Sequence, residues 1–287
     1  RAITSAVGGN GRKVGRTISR TDNPECFWPP SQSRKSEGFG NPSNRDPKAV
    51  VEDVLEGYIS REKAAEDYGF QENWIAEHAP EEEVLSTNHI YGALDRSWKY
   101  ICAEKNARFI KADIPFPIKS KDEFLNCFFS EVTDHTKVIF LSHITSMTAM
   151  KFPVEEVIQF AKEKGILTII DGAHMPGHIH LDIKELDADI YTGACHKWMC
   201  APKGTSFLYV KKELQENVHP LVVSWGWESE NPGASKFLDW HEWQGTRDMS
   251  AFLTVPAAVK FLEENNWLEV ARKCREQVVN TRDRLLD

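Results

Sequence analysis

The stretch from Lys137 to Asp171 constrains the fold most, because it reads as strand, helix and strand with the punctuation of a βα unit. KVIFLS (Lys137 to Ser142) is a short, largely apolar run of the kind found in buried strands. Pro153 then opens a helix with Val154, Val157, Ile158 and Ala161 on one face, and Gly165 ends it. ILTIID (Ile166 to Asp171) is the next strand, DIYTG (Asp189 to Gly193) leads into a loop holding His196 and Lys197, and TSFLYV (Thr205 to Val210) follows. The expected fold is therefore α/β, a mainly parallel sheet with helices on its faces. In such sheets ligands bind outside the carboxyl ends of the strands, so Asp171 and Lys197 face one crevice despite their separation in sequence.

Bulk properties narrow the function classes. A chain of 287 residues with 41% hydrophobic content can build a substantial core. Its net charge of −8, from 43 acidic and 35 basic residues, argues against nucleic acid as a partner, since phosphate binding needs a concentrated basic face. Arg1, Arg12, Lys13, Arg16 and Arg20 sit among Gly and Ser and read as a solvated segment. Six cysteines without a CxxC pair suggest neither a zinc ribbon nor a disulfide framework, so a reducing compartment is expected. No run of about 18 apolar residues and no signal-peptide pattern occurs, so the expectation is no membrane span and, by default, the cytoplasm.

The first 47 residues, punctuated by Pro29, Pro30, Gly38, Gly40, Pro42 and Pro47, are expected to be irregular. Asp46 and Pro47 start a helix bearing Val50, Val51, Val54 and Leu55, and SREKAAEDYG from Ser60 forms a second, closed by Gly69. The expected organisation is a segment 1–72, a large α/β domain 80–265 and the start of a C-terminal helical region 266–287. The chain begins with Arg1, not Met, which fits a fragment or processed chain.

An aldehyde cofactor held as an imine needs a lysine amine for the covalent link and a carboxylate to keep its pyridine nitrogen protonated. Lys197 and Asp171 supply those two groups. On spacing alone, a strand-end Asp also fits a helix cap or metal ligand, and a loop Lys fits solvated surface.

Around them the sequence resembles the class V aminotransferase family of fold-type I pyridoxal phosphate (PLP) enzymes, in particular its isopenicillin N epimerase-like branch. The resemblance covers about residues 80–287. It is carried by STNHIYGALDRSW (Ser86 to Trp98), LSHITS (Leu141 to Ser146), DGAHMPGHIHLDI (Asp171 to Ile183), YTGACHKWMCAPKGTSFLYV (Tyr191 to Val210), PLVVSWG (Pro220 to Gly226) and EWQGTRD (Glu242 to Asp248). It implies the large domain of the fold-type I PLP enzymes, with PLP bound as a Schiff base to Lys197 and Asp171 paired with the pyridinium. It implies also that Lys197 shuttles the proton at substrate Cα and that His89 stacks on the ring, with Tyr91 as the alternative. His174 occupies a position that hydrogen-bonds the ring hydroxyl in the desulfurase relatives, and Thr145 or Ser146 approaches it too. His196 is implied to contact phosphate, as is Thr246, which in such dimers reaches the neighbouring subunit's cofactor. Arg247 is a candidate for phosphate or substrate carboxylate. The implied activity is that of an epimerase, transaminase or lyase acting on an amino acid as a homodimer.

The resemblance also shapes what is expected of the ends. The family's segment ahead of STNHIYGAL, with the turn that cups the phosphate, has no counterpart here, and the chain stops before the small domain that usually supplies an arginine for the substrate carboxylate. Ala194 stands where desulfurase relatives carry a hydroxyl. The isolated chain is therefore expected to bind PLP weakly and turn over little. Residues of about 37–70 more weakly resemble the C-terminal tail of hydantoinase B and oxoprolinase-type subunits.

Two other classes compete: a metal-dependent hydrolase using His174, His178 and His180 with His196 or Cys195, and a non-catalytic remnant that dimerises. Pro176 and Gly177 interrupt any metal-binding helix, so the set of metal ligands is expected to be none. Cys195 reads as a small buried cysteine, and Trp198 and Trp243 as packing residues.

Overall fold

The computed structural model describes residues 44–55, 57–74 and 82–286. The chain divides into two units, Arg1–Ala79 and Pro80–Asp287.

In the first unit, α1 spans Pro47–Leu55 and α2 spans Arg61–Tyr68. The Asp46 carboxylate accepts the Lys48 N–H at 3.1 Å, Ser60 caps α2 by accepting the Lys63 N–H at 3.2 Å, and Gly69 ends it at φ 69°. Val50, Val51, Ala64 and Phe70 bury one another, so this small hairpin has its own apolar contact. Arg45 pairs with Asp53 of α1. The irregular reading of the first 47 residues falls, up to residue 43, outside the described residues.

The second unit is built on a six-stranded sheet with strands β1 (Glu83–Thr87), β2 (Arg108–Ala112), β3 (Thr136–Ser142), β4 (Leu167–Asp171), β5 (Ile190–Ala194) and β6 (Ser206–Val210). Their order across the sheet is β2-β1-β3-β4-β5-β6. All neighbours pair in parallel except β5 and β6, which are antiparallel. Helices α3 (Gly92–Lys105), α4 (Lys121–Phe129) and α5 (Val154–Lys164) lie between successive strands, and the short α6 (Ile183–Leu186) precedes β5. The sheet is α/β and mainly parallel, as the strand and helix alternation predicts.

The apolar stripe explains why α5 docks. Val154, Val157, Ile158 and Ala161 are all buried, and Gly165 closes the helix at φ 67°. Each large aliphatic side chain so removed from water stabilises the fold by about 1.5–3 kcal/mol. With Leu85, Ile139, Leu141 and Ile170 from the strands and Phe124, Phe128 and Phe152 beside them, they form one core. Beyond the sheet follow a 3₁₀ turn at Lys212–Asn217, α7 (Lys236–Glu242), α8 (Ser250–Leu253), α9 (Val255–Glu264) and α10 (Trp267–Leu286). No described helix is long and apolar enough to cross a membrane.

Candidate active site

Parallel pairing puts the carboxyl ends of β1, β3, β4 and β5 on one edge. Ser142, the last residue of β3, pairs with Asp171, the last of β4, and Asp171 pairs with Thr192, two residues before β5 ends. Asp171 is half-buried, and its Oδ1 accepts the Ala173 N–H at 3.0 Å, which fixes the carboxylate at the strand end. The next residue must be small. A Cβ on Gly172 would lie 2.1 Å from the Tyr191 hydroxyl.

Beneath this turn sits a polar pair that the sequence reading did not single out. Tyr191 and His143 are buried, and the Tyr191 hydroxyl meets His143 Nδ1 at 3.1 Å. Burial holds His143 neutral, lowering its pKa from 6.5 to about 4. Burial, and then the Asp171 charge, push the Tyr191 phenol up. Each side chain was within a quoted motif, but only the fold shows that they meet.

Lys197 rides on a tight loop after β5. The Cys195 N–H donates to Thr205 O at 3.0 Å, Ala201 N–H to Cys195 O at 3.0 Å and Cys200 N–H to Lys197 O at 3.1 Å. These bonds hold the loop while leaving the Lys197 side chain exposed. Its Nζ lies 3.1 Å from His174 Nε2, and the Trp198 indole N–H donates to His174 Nδ1 at 3.2 Å. Burial, and then Lys197, lower the His174 pKa, opposed by Asp171. Lysine, histidine and aspartate, distant in sequence, thus share one electrostatic neighbourhood.

The other candidates divide. His196 is half-buried next to Lys197, and its Nδ1–H donates to Thr205 O at 2.9 Å, so its Nε2 can donate to an anion only as imidazolium. His89 follows β1 on the same edge, but its Nε2 meets Ile114 O at 3.0 Å, the backbone-satisfied arrangement. Phe116 and Phe152 touch its ring tilted or edge-on, so neither lies flat against it. Tyr91 is the exposed N-cap of α3. Thr145 is buried, its hydroxyl occupied by Thr148 at 2.7 Å and by the Met150 N–H at 2.9 Å, whereas the adjacent Ser146 is exposed. Thr246 and Arg247 lie between α7 and α8, and among the described residues no hydrogen bond or ion pair joins either to Asp171, His174, His196 or Lys197. Arg247 instead sits 5.1 Å from the centre of the Phe252 ring.

The competing metal reading does not assemble. His178 Nδ1 bonds His174 O at 3.1 Å and its ring packs on Trp198, and no group of three His, Cys, Asp or Glu among the described residues is placed to hold an ion. Cys195 is buried, which raises its thiol pKa and leaves it a packing residue. An accessible amine, a strand-end carboxylate and two imidazoles suit an aldehyde-bearing, anionic pyridine cofactor.

Comparison with known proteins agrees. The family model for class V aminotransferases matches residues 72–287. Isopenicillin N epimerase of Amycolatopsis lactamdurans is 31% identical over 213 residues, covering 71% of this chain and 54% of that protein. A putative L-cysteine desulfhydrase of Oryza sativa is 31% identical over 188 residues, covering 62% of this chain and 38% of that one. The chain thus spans about half the length, or less, of these curated relatives. Among solved structures, the apo cysteine desulfurase of Thermococcus onnurineus superposes with TM-score 0.59 at 17% identity, covering 70% of this chain and 50% of that one. A mutant of C-DES with glycine covalently linked to its PLP cofactor superposes with TM-score 0.56 at 17% identity, covering 80% and 64%. With its mainly parallel sheet and its lysine and aspartate on one edge, the chain belongs to the class V aminotransferase family, whose cofactor is PLP and whose fold is the fold-type I large domain.

Proposed function

We propose that this chain carries the cofactor side of a PLP-dependent enzyme that acts on an amino acid, of epimerase, transaminase or lyase type. The observation that supports it best is the Lys197 amine standing exposed, 3.1 Å from His174 Nε2, on the edge where Asp171 ends its strand. In this reading Lys197 holds the cofactor covalently and then moves a proton at the substrate Cα. Asp171 keeps the pyridine nitrogen protonated. His196 and Ser146 are polar groups for the phosphate and the ring hydroxyl, and His174 donates at the same end of the site. PLP supplies, when bound, the electron sink for the bond broken at Cα. Thr145, whose hydroxyl is engaged in its own turn, is left a structural part, and His89 borders the site.

A homodimer belongs to the same proposal. Leu221, Val223 and Trp225 stand well exposed in the PLVVSWG loop, and Trp243 beside it is 65% exposed. The loop is pinned: the Gly226 N–H donates to Trp243 O at 3.3 Å, and a Cβ on Gly226 would meet Asp239 O. Fixed apolar surface of this kind suits a second copy, and a second copy would also give Thr246 and Arg247 a site to reach.

The test is an absorption spectrum of the chain with PLP before and after borohydride reduction, followed by peptide mapping. Reduction should lock the label onto Lys197 and remove the imine band, and Lys197→Ala should lose both completely. Equal labelling of the variant would overturn the reading.

A further inference from the structure

Phe152, which meets the His89 ring edge-on, also lines a groove of about 720 Å³ that the proposed function does not use. The floor of the groove is apolar and fixed. Phe124 and Phe152 are each 1% exposed and pack ring to ring at 4.5 Å, and the half-buried Ile118 and Met150 line it with them. Backbone bonds pin the adjoining loop: the Phe152 N–H donates to His143 O at 2.9 Å, the Thr145 N–H to Met150 O at 3.0 Å and the Ala149 N–H to Thr145 O at 3.1 Å. A groove held this way stands ready before a ligand arrives, so little is lost in ordering it.

The charges around that floor do not cancel. Lys121 pairs with Glu156 at 2.5 Å and Lys151 with Glu155 at 3.2 Å, so both carboxylates that line the groove are answered. Glu123, on the first turn of α4, accepts the Lys119 N–H at 2.6 Å. Two further cations line the groove, Lys119 ahead of α4 and Arg275 from α10. Among the described residues neither the Lys119 ammonium nor the Arg275 guanidinium has a hydrogen bond or ion pair. The groove thus carries two uncompensated positive charges in a chain whose net charge is −8. An exposed cation alone makes no site, but two at the rim of a preformed apolar floor match one ligand chemistry.

We propose that this groove binds an amphipathic carboxylate, its aliphatic chain on Ile118, Phe124, Met150 and Phe152 and its anionic head held by Lys119 and Arg275. An inorganic anion would leave the floor facing water, and an uncharged chain would leave both cations unanswered. Binding needs neither Lys197 nor PLP. The same chemistry has two sources. One is the far end of an amino-acid substrate, since the loop that carries Ser146 runs on into the groove at Ala149, and this source rests on the proposed function. The other is a separate acid.

The experiment is a titration of the chain without PLP with octanoate, read in a ¹H–¹³C methyl spectrum with Ile118 and Met150 assigned by Ile118→Val and Met150→Leu. Both methyl signals should shift saturably. Lys119→Glu with Arg275→Glu should weaken binding about tenfold, because two attractions become repulsions. Lys105→Glu with Lys212→Glu makes the same change in net charge at two exposed positions off the groove and should leave binding unchanged. 1-Octanol, the same chain without the charge, should bind the wild type and the Lys119 and Arg275 double variant alike. Absence of a saturable shift at either methyl would overturn the proposal, as would equal losses for octanoate and 1-octanol or equal losses in the two double variants. With PLP added, octanoate should compete with 2-aminooctanedioate for the spectral change that this amino acid produces if the groove takes the substrate's own tail, and should leave it untouched if the acid is a separate ligand. A chain that binds octanoate but takes no borohydride label on Lys197 would count against the cofactor reading and leave the groove proposal standing.

Discussion

The sheet and the segment that follows it handle similar apolar residues in opposite ways. In the sheet, Leu141, Ile170 and Tyr191 sit in register across β3, β4 and β5, and all three are fully buried. After residue 218, Leu221, Trp225, Leu253, Val278, Leu285 and Leu286 are each more than two-thirds exposed, and α9 and α10 contain no buried residue. Only α7 buries large groups there, with Trp240 stacked on Trp227 at 4.6 Å and His219 edge-on to both. The difference teaches which apolar residues the chain buries against one another and which it leaves at the surface. The edge where Asp171 ends its strand inherits its geometry from a core that closes within the chain, whereas the later segment carries exposed apolar side chains.

The sharpest way to break that contrast is to cut into the sheet. Ile170→Ala removes a side chain with 0% exposure one residue before Asp171. Loss of burial plus an unfilled cavity should cost about 2–5 kcal/mol, read as a lower urea midpoint. Cofactor labelling at Lys197 should weaken with it, because Asp171 is held by the same strand. A midpoint within error of wild type would mean that the sheet is not the self-sufficient region.

The next effect is slightly smaller and depends on pH. His143 has an ordinary pKa of 6.5 and is held at about 4 by burial, so between those values the unfolded chain binds a proton that the folded chain refuses. The His143 contribution is fully present above pH 6.5 and is lost as the pH falls toward 4, a drop on the order of 3 kcal/mol. Urea midpoints at pH 7.5 and pH 5 should therefore differ more in wild type than in His143→Gln. Equal differences would mean that His143 is not the group linking the site's floor to acid stability. Among the described residues its Nε2 meets no hydrogen-bond partner, so little there offsets protonation.

These two cases also show what could be read from the sequence. The strand and helix order, the α5 stripe and the Gly165 stop follow from period and punctuation, which are local properties. Asp171 and Lys197 were placed on one edge by a general rule of parallel sheets. The meeting of Tyr191 with His143, and the use of both His174 nitrogens, were hidden, because each depends on register between segments far apart in the chain. Thr145 and Ser146 looked interchangeable in LSHITS, and only the turn separates them: one hydroxyl is buried in its own loop and the other faces outward. The partner of the Trp198 N–H, His174 Nδ1, was hidden for a related reason, since composition reports that tryptophan buries area but not what its N–H meets.

The smallest stability effect belongs to the exposed side of the comparison, and there a null change in stability is the informative one. Leu221→Ser with Trp225→Ser alters two side chains that are 103% and 80% exposed, so the unfolding free energy read from urea titration should change by no more than about 0.5 kcal/mol. Self-association should change instead. Sedimentation velocity should show a dimer for the wild-type chain and a monomer for the double variant, because the removed area is the apolar part of a rigid loop. A marked loss of stability in the monomer would show that the loop is integral to its own chain's fold, and an intact dimer would show that copies meet elsewhere. A monomeric wild type would remove the second copy from the proposed function altogether, leaving Thr246 and Arg247 without a site to complete.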